Sequence, residues 1–138
     1  CVWNEPWKCM VDHDGVFDTR MMAYATDELW FEDHENGGTQ YDQPANYEKF
    51  NPLNHVSEWR VPMLIIHSGH DFRIPDSQGI GAFTALQRRG IPSKLLYFPD
   101  ESHWVQKPHN SILWHDTVLS WLKEWTIGKA AGHADSGR

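Results

Sequence analysis

Two short stretches of the chain gather side chains that can hold and move protons. One is His67-Ser68-Gly69-His70-Asp71-Phe72-Arg73-Ile74-Pro75, and the other is Pro99-Asp100-Glu101-Ser102-His103-Trp104. Each follows a continuous apolar run, so each reads as the loop at the C-terminal end of a buried strand. In an open parallel sheet such loops share one edge, where functional residues collect. An Asp on one loop and a His on the next can therefore meet. A neutral imidazole can take the proton of a nucleophilic hydroxyl, while a buried carboxylate fixes the tautomer and stabilises the imidazolium that forms. Asp71 is the candidate acid and His103 the candidate general base.

Rival readings of the same residues lead elsewhere. Nine His and many carboxylates invite a metal. His67, His70 and Asp71 form one string of potential ligands, and Asp12, His13 and Asp14 form a second. Neither matches H-E-x-x-H, and no C-x-x-C occurs, so no metal is expected. His67 and His70 read instead as hydrogen-bonded loop histidines. Arg73 either pairs with a carboxylate to hold the acid loop or is a plain surface charge. Trp104 either walls the site beside His103 or packs in the core. Glu101 reads as a solvated loop charge. Cys9 fails as a thiol nucleophile because it lies within an expected strand rather than at its end.

The elements that must position this pair alternate along the chain. A short apolar run at 8–11 reads as a strand ending in the turn Asp12-His13-Asp14-Gly15. Residues 18–31 are helix-compatible, with Met22, Ala25 and Leu29 at helical spacing. Residues 32–60 are polar and turn-rich, an excursion over the surface with short helical turns at most. Residues 62–67 form the best strand, with Pro62 admissible only at its start. Asp76 or Ser77 can cap a helix running to about Arg89, with Ile80, Phe83 and Leu86 on one side and Gly90 as its stop. A third strand covers 94–98, and a last helix covers 109–125, where Val118, Trp121, Leu122 and Trp125 share a face. The alternation predicts an α/β fold, a parallel sheet with helices on both faces. Three strands make a thin sheet with apolar edges, so more sheet is expected upstream. Residues 1–127 read as the C-terminal portion of one domain, and 128–138 as a disordered tail.

Composition narrows the partners. Apolar residues make up 40% of the 138, enough for a core. A net charge of −7 without any basic cluster excludes a phosphate-binding face, hence nucleic acid, and a polybasic membrane anchor. No apolar run is long enough for a membrane span. Two cysteines, Cys1 and Cys9, are too few for a disulfide framework. Eight Trp point to an aromatic-rich core and interface.

The two loops also carry a resemblance. His67 to Pro75 resembles the acid loop of the prolyl oligopeptidase family of serine peptidases, and Phe98 to Val105 resembles its histidine loop. His13-Asp14-Gly15-Val16-Phe17-Asp18 resembles the segment after the strand that follows the nucleophile. Tyr47 to Pro52 and Leu113-Trp114-His115 fit the same family. The resemblance implies the C-terminal half of an α/β-hydrolase fold, with chain order Ser, acid, His. It implies peptide substrates, no cofactor, an N-terminal β-propeller and a secreted or periplasmic setting. By position it assigns Asp71 as triad acid and His103 as base. The family's Gly-x-Ser-x-Gly elbow is expected before residue 1, with the oxyanion donors. Ser77-Gln78-Gly79 is a partial match, but Pro75 replaces the first Gly and the serine follows the acid. The 138 residues alone are thus expected to be inactive. The alternative is an inactive hydrolase-like piece that serves as a binding or structural element.

Overall fold

The computed structural model describes residues 7–127, so the expectations for Cys1 and for the tail at 128–138 lie outside the described residues. Three strands, β1 (Met10–His13), β2 (Met63–Ser68) and β3 (Ser93–Phe98), form one sheet in the order β1-β2-β3. Both pairings are parallel, with Met10 opposite Met63 and Met63 opposite Ser93.

β2 is buried at all six positions because it lies between two layers of helix. Its side chains alternate between the layers, as the two-residue period of a strand requires. Met63 and Ile65 pack with Ala82 and Leu86 of α4 (Ser77–Arg88) and with Trp59 and Ile91. Leu64 and Ile66 pack on the other face with Phe98 and with Val118 and Trp121 of α5 (Pro108–Thr126). Complete burial of Leu64, Ile65 and Ile66 stabilises the fold by about 1.5–3 kcal/mol per side chain. The parallel sheet with helices on both faces follows the sequence reading.

Three boundaries differ from that reading. β1 lies two residues later than expected and includes the polar pair Asp12-His13. Its position is set by main-chain pairing: Met10 N donates to Pro62 O at 2.8 Å and Asp14 N to Ile66 O at 3.1 Å. The expected helix at 18–31 is two helices, α1 (Thr19–Ala25) and α2 (Leu29–Asn36). The break arises where Thr26 Oγ1 accepts from Glu28 N and Asp27 N donates to Phe72 O of the acid loop. The surface excursion begins later than expected, after α2, and its helical turns are α3 (Pro44–Lys49) and a 3-10 stretch at Pro52–Glu58. Asn51 anchors it from a fully buried position, donating to Asp18 Oδ1 and accepting from Thr19 N and Leu53 N.

The helix over 77–88 also presents a different face. Ile80 is exposed, while Gln78, Gly79, Ala82 and Leu86 are buried. Small residues are needed there: a Cβ at Gly79 would lie 2.5 Å from His67 Nδ1. Asp76 makes no cap hydrogen bond and instead accepts from Tyr97 OH at 2.7 Å. Among the described residues no helix is long and apolar enough to cross a membrane.

Candidate active site

The acid loop begins where β2 turns away from the sheet. Gly69 N donates to Phe98 O and His70 N to Glu101 O, both at 2.9 Å, so the β2–β3 pairing continues into both loops. Glycine is required at this crossing, since a Cβ at Gly69 would stand 2.7 Å from Tyr97 OH and 3.0 Å from Pro99 O. The turn places Asp71 in a pocket where it is 2% exposed. Its Oδ1 accepts from Arg73 N at 3.1 Å and Ile74 N at 2.9 Å. Its Oδ2 lies 2.8 Å from His103 Nδ1. A carboxylate can only accept here, so Nδ1 carries the proton and the lone pair sits on Nε2. That is the tautomer a general base needs.

Around the pair, neighbours fix each member. His67 is fully buried, and its Nε2 donates to Ile74 O at 2.7 Å, which pins the far side of the acid loop. It is a hydrogen-bonded histidine, as the sequence reading had it. His70 stays at the surface with its ring beside Phe72. Arg73 pairs with a carboxylate: its guanidinium meets both oxygens of Glu28, at 2.9 and 3.0 Å, and lies over the Trp104 ring at 5.7 Å. Trp104 is 60% exposed, so it does not pack in the core and stands beside His103 instead.

Glu101 requires a correction. It is buried, not a solvated charge. Its Oε2 accepts from Gln106 N, and its Oε1 accepts from Lys107 N and Asn110 Nδ2. It thus satisfies main-chain donors just before α5, where negative charge is favoured. Burial pushes its carboxyl up, but the hydrogen bonds from Asn110, Gln106 and Lys107 outweigh this and hold it below its ordinary value.

Asp14 belongs to the site although the sequence reading gave it no catalytic part. It ends β1 on the same sheet edge, is 7% exposed, and places Oδ2 3.7 Å from His103 Nδ1 and 3.2 Å from His13 Nε2. Burial first, then the nearby charges of Asp71 and Asp12, push its carboxyl up to about 7, against the opposing pull of His103. The strand-end rule that singled out the other two loops applies equally to Asp14, so the signal was present. Atoms of Asp14, His67 and Asp71 lie within 4.8 Å of one another, close enough to share a cation. The His67 nitrogen nearest Asp71, Nε2, spends its proton on Ile74 O and so offers no lone pair.

A separate apolar cavity of about 630 Å³ opens beside β1, lined by Cys9, Val16, Phe17, Phe50 and Trp59 among others. Neither Asp71 nor His103 lines it.

Comparison with known proteins supplies the lineage for this arrangement. Dipeptidyl-peptidase 5 of Schizosaccharomyces pombe is 50% identical over 120 residues, covering 87% of this chain and 18% of that protein. Dipeptidyl-peptidase 5 of Aspergillus oryzae is 45% identical over 122 residues, covering 87% of this chain and 17% of that protein. The chain therefore spans less than a fifth of the length of these relatives. Among solved structures, the Pyrococcus horikoshii acylaminoacyl peptidase superposes with a TM-score of 0.84 at 19% identity, over 96% of this chain and 22% of its own. A puromycin hydrolase superposes with a TM-score of 0.82 at 24% identity, over 95% of this chain and 20% of its own. At such identities the likeness speaks for the fold, that of the α/β hydrolases. The description "Prolyl oligopeptidase family" matches residues 2–129, which takes in both loops and all three strands; the chain belongs to that family.

Proposed function

We propose that Asp71 and His103 are the acid and the base of a serine-peptidase triad in a protein that cleaves peptide bonds as a dipeptidyl or oligopeptidyl peptidase. The observation that carries this reading is the 2.8 Å contact between Asp71 Oδ2 and His103 Nδ1. It sets the imidazole with its basic nitrogen turned away from the carboxylate, as proton removal from a hydroxyl demands. In the reaction, His103 Nε2 takes the serine proton as the serine oxygen bonds to the scissile carbonyl carbon. The same proton passes to the leaving amine when the C–N bond breaks, and water then repeats the sequence on the acyl-enzyme. Asp71 stays ionised and stabilises the imidazolium throughout.

The nucleophile comes from elsewhere in this reading, because no Gly-x-Ser-x-Gly occurs in the 138 residues. It belongs to an upstream part of the same hydrolase domain, beyond which the family resemblance implies a β-propeller. The relatives' name and their greater length favour this arrangement. No cofactor enters the scheme.

The test uses a fluorophosphonate probe and a dipeptidyl-4-nitroanilide substrate. The intact protein should label and turn over, and His103→Ala should lose both by several orders of magnitude. The 138 residues alone should do neither. Steady labelling of the short chain would instead make a residue such as Ser68 or Ser77 the nucleophile. Full activity of His103→Ala would end the proposal.

A further inference from the structure

The buried pair has a third neighbour that the triad scheme leaves unused. Asp14 is the one non-glycine residue in the left-handed region among those described, with φ of 55°. Such a conformation is strained for most side chains and tends to persist where surrounding structure holds it for a purpose. Here it places a carboxylate against the imidazole atom that already faces Asp71. Asp14 Oδ2 lies 3.7 Å from His103 Nδ1. Its Oδ1 is buried without a hydrogen-bond partner, so hydrogen bonding does not account for that oxygen.

We propose that Asp14 is a positioning residue, a second carboxylate that shares with Asp71 the stabilisation of His103 when the imidazole takes a proton. The inference rests on His103 being the general base. With His103 neutral, the single Nδ1 proton goes to Asp71 at 2.8 Å and Asp14 stands just outside hydrogen-bond reach. Once the ring is charged, Coulomb attraction acts on both carboxylates in a poorly solvated pocket, where it is stronger than in water. No new bond is made; Asp14 acts through its charge on His103.

The groups around Asp14 come from every neighbouring element. β1 brings Asp12 and His13, β2 and its loop bring His67 and Asp71, and the loop after β3 brings His103. α5 adds the uncharged ring of Trp114, which lies against His13. Burial raises the Asp14 carboxyl to about 7, and a charged His103 draws it back down, so a proton on the ring favours the ionised carboxylate beside it.

The experiment measures kcat/KM for a dipeptidyl-4-nitroanilide from about pH 5 to about pH 9 in the intact protein. Asp14→Asn keeps the shape, and Asn tolerates the left-handed backbone. Losing a negative charge lets the base shed its proton more readily. The acid limb should therefore move down by about half a unit or more. Asp14→Gly removes the side chain at no backbone cost and should show the same movement. A residue with only a structural part would lower stability or turnover at every pH and leave the limb in place. An unmoved limb in both single variants overturns the inference. His103→Ala separates the layers: if it is inactive while the limb stays put, only the role of Asp14 fails. If it is active, the reading of His103 as base fails.

Discussion

Replacing Asp71 by Asn separates the charge of the acid from its shape, and the surrounding hydrogen bonds dictate which way the amide must face. Oδ1 receives two main-chain donors, Arg73 N and Ile74 N. Turning the amide so that its NH2 met them would leave buried donors opposed, at about 1–3 kcal/mol for each group. The amide oxygen therefore keeps the Oδ1 position. Its NH2 then occupies the Oδ2 position, 2.8 Å from His103 Nδ1. A donor there selects the imidazole with its lone pair on Nδ1 and its proton on Nε2, which cannot accept a hydroxyl proton. In the intact protein kcat/KM on a dipeptidyl-4-nitroanilide should fall by about 10⁴, with KM changing far less. Because both loop donors stay satisfied, Asp71→Asn should unfold at a midpoint close to wild type, whereas Asp71→Ala, which orphans them, should not. An Asp71→Asn protein within tenfold of wild type, with the loop intact, would refute the tautomer argument.

Gly79→Ala should destabilise the protein by about 1–2 kcal/mol in denaturant titration. The new Cβ meets His67 Nδ1 at 2.5 Å and the immovable His67 Cβ at 2.9 Å, an overpacking that outweighs the helix-propensity gain of about 1 kcal/mol. A stabilised variant would contradict the tight seat of His67. Glu101→Gln should lower the thermal midpoint at neutral pH, because one amide hydrogen-bonding face must oppose a donor. The Glu101 carboxyl is held below its ordinary 4.5, so its stabilisation is present above that value and is lost as pH falls through the lower native one. The gap to the variant should close on the acid side; a constant gap would deny the linkage. Asp14 works in the opposite sense. Its carboxyl is raised from 3.8 to about 7, so its stabilisation is full below the lower value and is lost as pH rises through the upper. Asp14→Asn should melt higher than wild type at about pH 8 and lose that advantage toward about pH 4.

Whatever depends on local periodicity was legible in the sequence. β2, α4 and α5 showed themselves through continuous apolar runs, helical spacing, the start marked by Pro62 and the stop at Gly90. The Asp71–His103 pair followed from strand-end loops in a parallel sheet, without any long-range information beyond topology. Two of the misreadings share one cause, main-chain pairing between segments far apart in sequence. β1 extends through Asp12-His13 because Met63–Ile66 offers it partners, though the local pattern there is polar. α1 and α2 separate because Asp27 N is drawn to Phe72 O, far along the chain, beside the Glu28–Arg73 pair. Glu101 looked like an exposed charge because its partners, Gln106, Lys107 and Asn110, face it only once the chain folds back toward α5.

Glu101 also shows how Asp71 and His103 are kept in register. Its carbonyl accepts from His70 N, next to Asp71, while its carboxylate gathers the donors that precede and begin α5. His103 lies two residues further on. One residue thus joins the acid loop, the base loop and the helix that packs on β2 through Val118 and Trp121. With the Gly69–Phe98 bond, the two loops become an extension of the β2–β3 ladder rather than independent excursions. Loop side chains that make none of these bonds, such as Phe72 and Ser102, can then vary without moving the pair. A substitution at Gly69 or Glu101 should shift Asp71 and His103 relative to each other, even though neither side chain takes part in their contact.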